Sequence, residues 1–232
     1  MKRFYKDAAV VTSPEGFSVE LDGKPIRTPK KSAFAVPGNA MAAAIADEWR
    51  GQGDDIDPES MPLFRLANTA IDMIAPQRDA VVDSLAGFGG TDLLCYRVEG
   101  PDELVLRQNQ LWSPWLEWAA EQHDARLLTT TGIKHIAQGP AALAALRRAV
   151  ADHDIMELAA MNDLVTIAGS LVLALAVSAG ALDVEGSWAA IRLDYDFQAE
   201  KWGQDAEATA HGNYLRQEFG HAARFLDLQR TN

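Results

Sequence analysis

The chain has 232 residues, 48% of them hydrophobic, which is enough to bury a core without disulfide staples and too apolar for a disordered segment. Its net charge of −12 and pI near 4.8 repel phosphate backbones and anionic membrane surfaces, which argues against nucleic acid as a partner. A single cysteine, Cys95, rules out an internal disulfide and any two-thiolate site, and it fits a reducing compartment.

The opening residues, MKRFYKDAAVVTSPEG, are basic but hold no apolar signal core and are not an Arg- and Ser-rich transit peptide. A cytoplasmic protein, or a mature chain already trimmed, is expected. Phe17, Val19 and Leu21 alternate with Ser18 and Glu20 and run into Asp22-Gly23, which predicts a two-residue hairpin. The return strand over 24–28 carries Pro25, which places it at a sheet edge. An Ala-rich helix is predicted over 40–50 and is stopped by Gly51 and Gly53. The polar stretch 51–62, GQGDDIDPESMP, marks a domain boundary near position 60.

Helical periodicity takes over beyond that point. Leu66, Ala70 and Met73 share a predicted face, and another helix runs from Pro76 to Phe88. Residues 91–97, TDLLCYR, fit either a strand or a short helix. A stripe of Leu104, Leu111, Trp115 and Trp118 predicts a helix over 101–122, with Pro114 kinking or restarting it. Residues 126–131 fit a short strand, and helices follow over 141–151, 154–180, 185–201 and 205–228. The fold class is α+β, with a small β-rich N-terminal domain over 1–60 and a larger helical domain over 61–232. The uncharged run Leu164–Leu182 is long enough for a membrane span. Its many small residues and the flanking Asp163 and Asp183 predict a buried central helix instead.

Signatures of chemistry are sparse. His123, His135, His153, His211 and His221 form no HExxH arrangement, although His153 and Glu157 share a helix face at i,i+4. Gly87-Phe88-Gly89-Gly90 lacks the full dinucleotide spacing and reads as a helix stop. Cys95 has no local base and reads as a buried thiol. No metal or cofactor is expected. Within 193–203, LDYDFQAEKWG, helical spacing assigns Trp188, Ile191, Tyr195 and Trp202 to the packed stripe. Asp194, Asp196 and Glu200 are left as an acidic surface, which is either a solvated face or a site for a basic patch on a partner. The alternative is a small-molecule enzyme with convergent carboxylates, which requires a deep pocket of ionisable residues with perturbed pKa values.

Taken in order, a set of segments resembles the chaperone family called ATP synthase mitochondrial assembly factor 2. They are RFYK (3–6), LDGKPIRTP (21–29), Glu48-Trp49, MPL (61–63), LANTAID (66–72), TDLLCYR (91–97), the Trp112, Pro114 and Trp118 spacing, GSLVLALA (169–176) and LDYDFQAEKWG (193–203). The resemblance spans nearly the whole chain. Ser113 stands where the family pattern has an acid before the proline, and Tyr195 interrupts the acidic run.

The resemblance implies a non-enzymatic chaperone that binds the free alpha subunit of the ATP synthase catalytic head. It shields the surface that the beta subunit will occupy and is displaced when that subunit arrives. It also implies a small α+β N-terminal domain followed by an orthogonal helical bundle. A bacterial member belongs in the cytoplasm and eukaryotic relatives in the mitochondrial matrix, with no membrane insertion and no small-molecule substrate. Glu48, Asp72, Asp92, Asp194, Asp196 and Glu200 interrupt the matched apolar segments and are candidate partner contacts. Trp49, Trp112, Trp118 and Trp202 are expected in the core.

Overall fold

In the computed structural model, which describes residues 1–231, strand β1 (Ala8–Ser13) pairs antiparallel with β2 (Gly16–Leu21), Ala8 facing Leu21 and Ser13 facing Gly16. Asp22 and Gly23 turn the chain with φ of +49° and +77°, the double left-handed geometry for which an Asp-Gly pair is suited. Strand β3 (Lys24–Pro25) returns along β2 and forms the sheet edge, where the missing N–H of Pro25 costs no ladder bond. The return strand is shorter than the expected 24–28. The Thr28 amide donates to the Ser32 carbonyl instead, closing a turn.

Helix α1 (Asn39–Arg50) packs on β1 and β2 and buries Met41, Ala42, Ile45, Ala46 and Trp49. Glu48 near its end caps helix α2 (Pro62–Thr69). Both of its carboxylate oxygens accept at 2.8 Å from the amides of Leu63 and Phe64, two of the first N–H groups that α2 leaves unpaired. The backbone then widens into a π turn over Ala70–Ile74. The wider turn advances the buried face to Ile74 and swings Met73, 47% exposed, toward solvent, which corrects the predicted face of Leu66, Ala70 and Met73. Residues 1–78, 154–160 and the stretch from His221 onward make up one compact unit. The expected boundary near position 60 lies within it, at a short 3-10 turn over Pro58–Ser60.

Residues 79–153 and 161–220 make up the second unit. Helix α3 (Arg78–Gly87) leads into 3-10 turns at Phe88–Gly90 and Leu93–Cys95 and then into β4 (Tyr96–Arg97), so TDLLCYR is partly turn and partly strand. Helix α4 (Asp102–His123) runs through Pro114, and β5 (Thr130–Thr131) pairs in parallel with β4. The buried residues of α4 are Leu104, Gln108, Trp112 and Ala119, so the predicted stripe is corrected and keeps only Leu104. A glutamine holds a core position because its amide is satisfied: Oε1 accepts from the Val98 amide at 3.0 Å and Nε2 donates to Asp194 at 2.8 Å.

After α5 (Pro140–Ala151), the single helix expected over 154–180 is two helices, α6 (Ile155–Ala168) and α7 (Leu171–Ser178). Gly169 breaks the run at φ +62°, and the Ser170 hydroxyl caps α7 by accepting from the Leu173 amide. Every residue from Leu171 to Val177 is buried. Among the described residues, no helix is long and apolar enough to cross a membrane. Helices α8 (Val184–Trp202) and α9 (Ala206–Arg230) complete the chain. A small antiparallel sheet near the N-terminus with helices thereafter is the expected α+β arrangement.

Candidate functional site

Three of the six acids expected to meet a partner instead cap the protein's own backbone. Asp92 is fully buried. Its Oδ1 accepts from the Leu94 amide (3.1 Å) and the Ser170 hydroxyl (2.8 Å), and its Oδ2 accepts from the Val172 amide (3.0 Å), so one side chain ties a 3-10 turn to the start of α7. Burial pushes its carboxyl above the usual range, against the pull of these donors. Burial likewise raises Glu48, opposed by the Leu63 and Phe64 amides.

Asp72, on the π turn, is also buried. It accepts from the Thr28 hydroxyl (2.7 Å) and the Lys30 amide (2.9 Å) and so pins the 28–32 turn. Burial alone would raise its pKa, but the Lys30 amide and the Thr28 and Ser32 hydroxyls outweigh it and hold the carboxyl below the ordinary range. A carboxyl lowered by folding stabilises above its unfolded pKa of about 3.9, and that contribution is lost as pH falls through the lower folded value. Asp72→Asn is therefore expected to reduce the urea midpoint at pH 7, with the gap from the parent closing below about pH 4. A gap that stays constant from neutral pH into that range would rule out a charged Asp72 as the pin. Glu48, Asp72 and Asp92, expected as contact residues, are thus each engaged by the protein's own backbone.

The other three acids share helix α8. Its buried stripe is Ser187, Ala190, Leu193 and Phe197, which includes none of the predicted Trp188, Ile191, Tyr195 and Trp202. Trp202 is 78% exposed, because Phe197 is the last buried residue and the chain leaves the helix at Gly203. Asp194 is committed to the buried amide of Gln108. Glu200 accepts from Arg107 at 2.9 Å, Arg107 also donates to Glu103 at 2.8 Å, and Lys201 meets Glu103 at 2.8 Å. The hydrogen bond from Arg107 holds Glu200 below the usual carboxylate range, and that from Lys201 does the same for Glu103. Of the acidic surface expected from the sequence, Glu200 is thus neutralised by Arg107 and Asp194 is taken up by an amide. Asp196 keeps the most freedom, since it is exposed and its ion pair among the described residues is a loose one, to Arg192 at 3.7 Å.

Beside Asp196 lies a polar pocket of about 340 Å³ lined by Trp188, Arg192, Tyr195, Glu200 and Asn213. The Arg192 guanidinium sits 3.6 Å from the Tyr195 ring centroid and 6.0 Å from that of Trp188. Gly212 makes room for it, since a Cβ there would lie 3.1 Å from Arg192 Nη1. This joining of an exposed carboxylate to an aromatic-backed pocket suits recognition of a polar partner surface. It offers no paired acid and base for chemistry.

The remaining expectations can be placed. Trp49 and Trp112 are core residues, and the Trp112 indole donates to the Ala190 carbonyl at 2.9 Å. Trp118 is half-buried, edge-on to Trp115 and His123. His153 bonds to the Ala149 carbonyl and the Ser178 hydroxyl, while Glu157 and Asp154 cap α6 reciprocally. Burial, aided by the charge of Asp92, pushes the Cys95 thiol up to about 12, so it is inert as a nucleophile. A second, apolar pocket behind β3, described below, was not anticipated from the sequence. Its one local sign is the pair of prolines in KPIRTP.

A family model described as ATP12 chaperone protein matches residues 2–120. Atp12 from Paracoccus denitrificans, a solved structure, is 43% identical, with a TM-score of 0.95 over 99% of this chain and 98% of that one. The Atu1473 protein from Agrobacterium tumefaciens is 40% identical, with a TM-score of 0.92 over 99% of this chain and 85% of its own. The mitochondrial protein atp12 of Schizosaccharomyces pombe is 24% identical over 219 residues, covering 89% of this chain and 75% of that protein.

Proposed function

Because the chain belongs to the ATP12 chaperone family, we propose that it is an ATP synthase assembly chaperone that holds the free alpha subunit of the catalytic head until the beta subunit displaces it. An unpartnered subunit of an obligate assembly exposes a partly hydrophobic interface that aggregates. A holder lowers the free concentration of that subunit, and release requires no nucleotide if the beta subunit competes for the same surface with higher affinity. The observation that carries the reading beyond the family match is the α8 face, where the exposed Asp196 borders the pocket of Trp188, Arg192 and Tyr195. We favour this over the enzyme alternative because the acids with raised pKa values, Glu48 and Asp92, belong to different units and each is accounted for by burial and its hydrogen-bond donors.

Co-expression with the alpha subunit of the same cell tests the proposal. The subunit is expected to become soluble and to co-purify, and added beta subunit is expected to release this chain. An alpha subunit that stays insoluble, with no complex at low or high salt, would end the proposal. The cleanest single variant is Asp196→Lys, since reversing Asp194 would also strand the buried Gln108 amide. It is expected to melt like the parent and to weaken client capture about tenfold, the order of a lost charge contact at an interface. Unchanged capture would remove the α8 face from the docking surface.

A further inference from the structure

Within the first unit, a pocket of about 470 Å³ opens to solvent behind the edge strand β3, a size ordinary for ligand sites. Its walls are apolar: Phe4, Tyr5, Leu21, Ile26, Trp49 and Phe64. Phe4 is 66% exposed at the rim. The polar groups are nearly all occupied. The Tyr5 hydroxyl donates to the Trp49 carbonyl at 2.6 Å, the Thr28 hydroxyl donates to Asp72, and the Asp22 oxygens accept the amides of Lys6 and Asp7. One donor is left over. The indole Nε1–H of Trp49, a wall residue only 7% exposed, is buried without a hydrogen-bond partner among the described residues.

The mouth carries the opposite sign to the chain as a whole. Lys24 and Arg27 stand exposed on it, in a protein of net charge −12, and the lining acid Asp22 is already engaged by backbone amides. An apolar cavity and two rim cations together select an occupant that is apolar at one point and anionic at the next. The rim strand narrows the choice further. On the outer side of this edge strand Pro25 has no N–H but keeps its carbonyl, an acceptor to which the amide of a polypeptide can donate and an acyl chain cannot.

We infer that this pocket is a docking site for an extended segment of a partner polypeptide, which inserts large apolar side chains between Phe4, Trp49 and Phe64 and sets an adjacent carboxylate against Lys24 and Arg27. The site belongs to the first unit, whereas the α8 face belongs to the second, and it does not depend on which subunit the chaperone serves.

The test uses the full chain and an end-blocked, fluorescein-labelled octapeptide in which leucines and a phenylalanine adjoin two aspartates. A version with lysines in place of the aspartates is the control, and decanoate represents a lipid occupant. The acidic peptide is expected to bind saturably and at least tenfold more tightly than the basic one. It should shift the Trp49 indole N–H resonance, identified by its loss in Trp49→Phe. Lys24→Glu combined with Arg27→Glu should leave the melting temperature unchanged and reverse the preference, so that the lysine peptide becomes the tighter ligand. The proposal is overturned by no saturable peptide binding, by equal affinity for the two peptides, by an unchanged preference in the double variant, or by binding of decanoate alone. No alpha subunit enters the titration, so a failure here is separable from a failure of the co-expression experiment.

Discussion

Asp92→Ala is expected to be the most damaging conservative-sized change in the second unit. It removes a fully buried carboxylate and leaves the Leu94 and Val172 amides and the Ser170 hydroxyl without their acceptor. Each buried group left unmade costs ~1–3 kcal/mol, which gives about 3–9 kcal/mol in total, set against a whole-protein stability on the order of 5–15 kcal/mol. At about 2–4 °C per kcal/mol for a chain of this size, the melting temperature should fall by about 10 °C or more, or the protein should fail to accumulate. Asp92→Asn keeps one acceptor oxygen and should fall between. A calorimetric midpoint for the alanine variant within about 3 °C of the parent, well under that estimate, would show that the caps are dispensable.

Trp49→Arg should unfold the first unit. The indole packs edge-on against Tyr5 at 5.6 Å and Phe64 at 5.0 Å. A guanidinium there would be buried with no carboxylate to meet it, at a cost of several kcal/mol, in addition to about 3–5 kcal/mol for the lost aromatic packing. Near-UV circular dichroism is expected to lose its aromatic signature, with no cooperative melt. Trp49→Phe keeps a ring in place and should retain both. An arginine variant that melts like the parent would move Trp49 from the core to the surface.

The parts of the fold that could be read from the sequence are those whose cause is local. Asp22-Gly23 dictates its hairpin through two φ values, and Gly51 ends α1 where it stands. The misread parts have partners far along the chain. The split between α6 and α7 needs Asp92 to supply a cap from 80 residues upstream of Val172. The buried face of α4 is hidden by Gln108, a core residue only because Asp194, 86 positions away, accepts its amide. The π turn at Ala70–Ile74 shifts the phase of a helix whose sequence shows no break. The candidate site follows the same rule. The acids of α8 are visible as a cluster, but their neutralisation by Arg107 is not, since Glu200 lies 93 residues from that arginine.

The cap that Asp92 places on α7 also constrains how the chain emerges from the ribosome. Asp92 is synthesised some 80 positions before the helix it serves. Throughout that interval its carboxylate remains hydrated. A helix of eight residues cannot persist alone in water, so the apolar segment Leu171–Ser178 acquires shape only on docking against a turn made long before. Native α7 is thus a late, non-local event in synthesis. The interval between its translation and its capture is when the nascent chaperone is itself most exposed to aggregation.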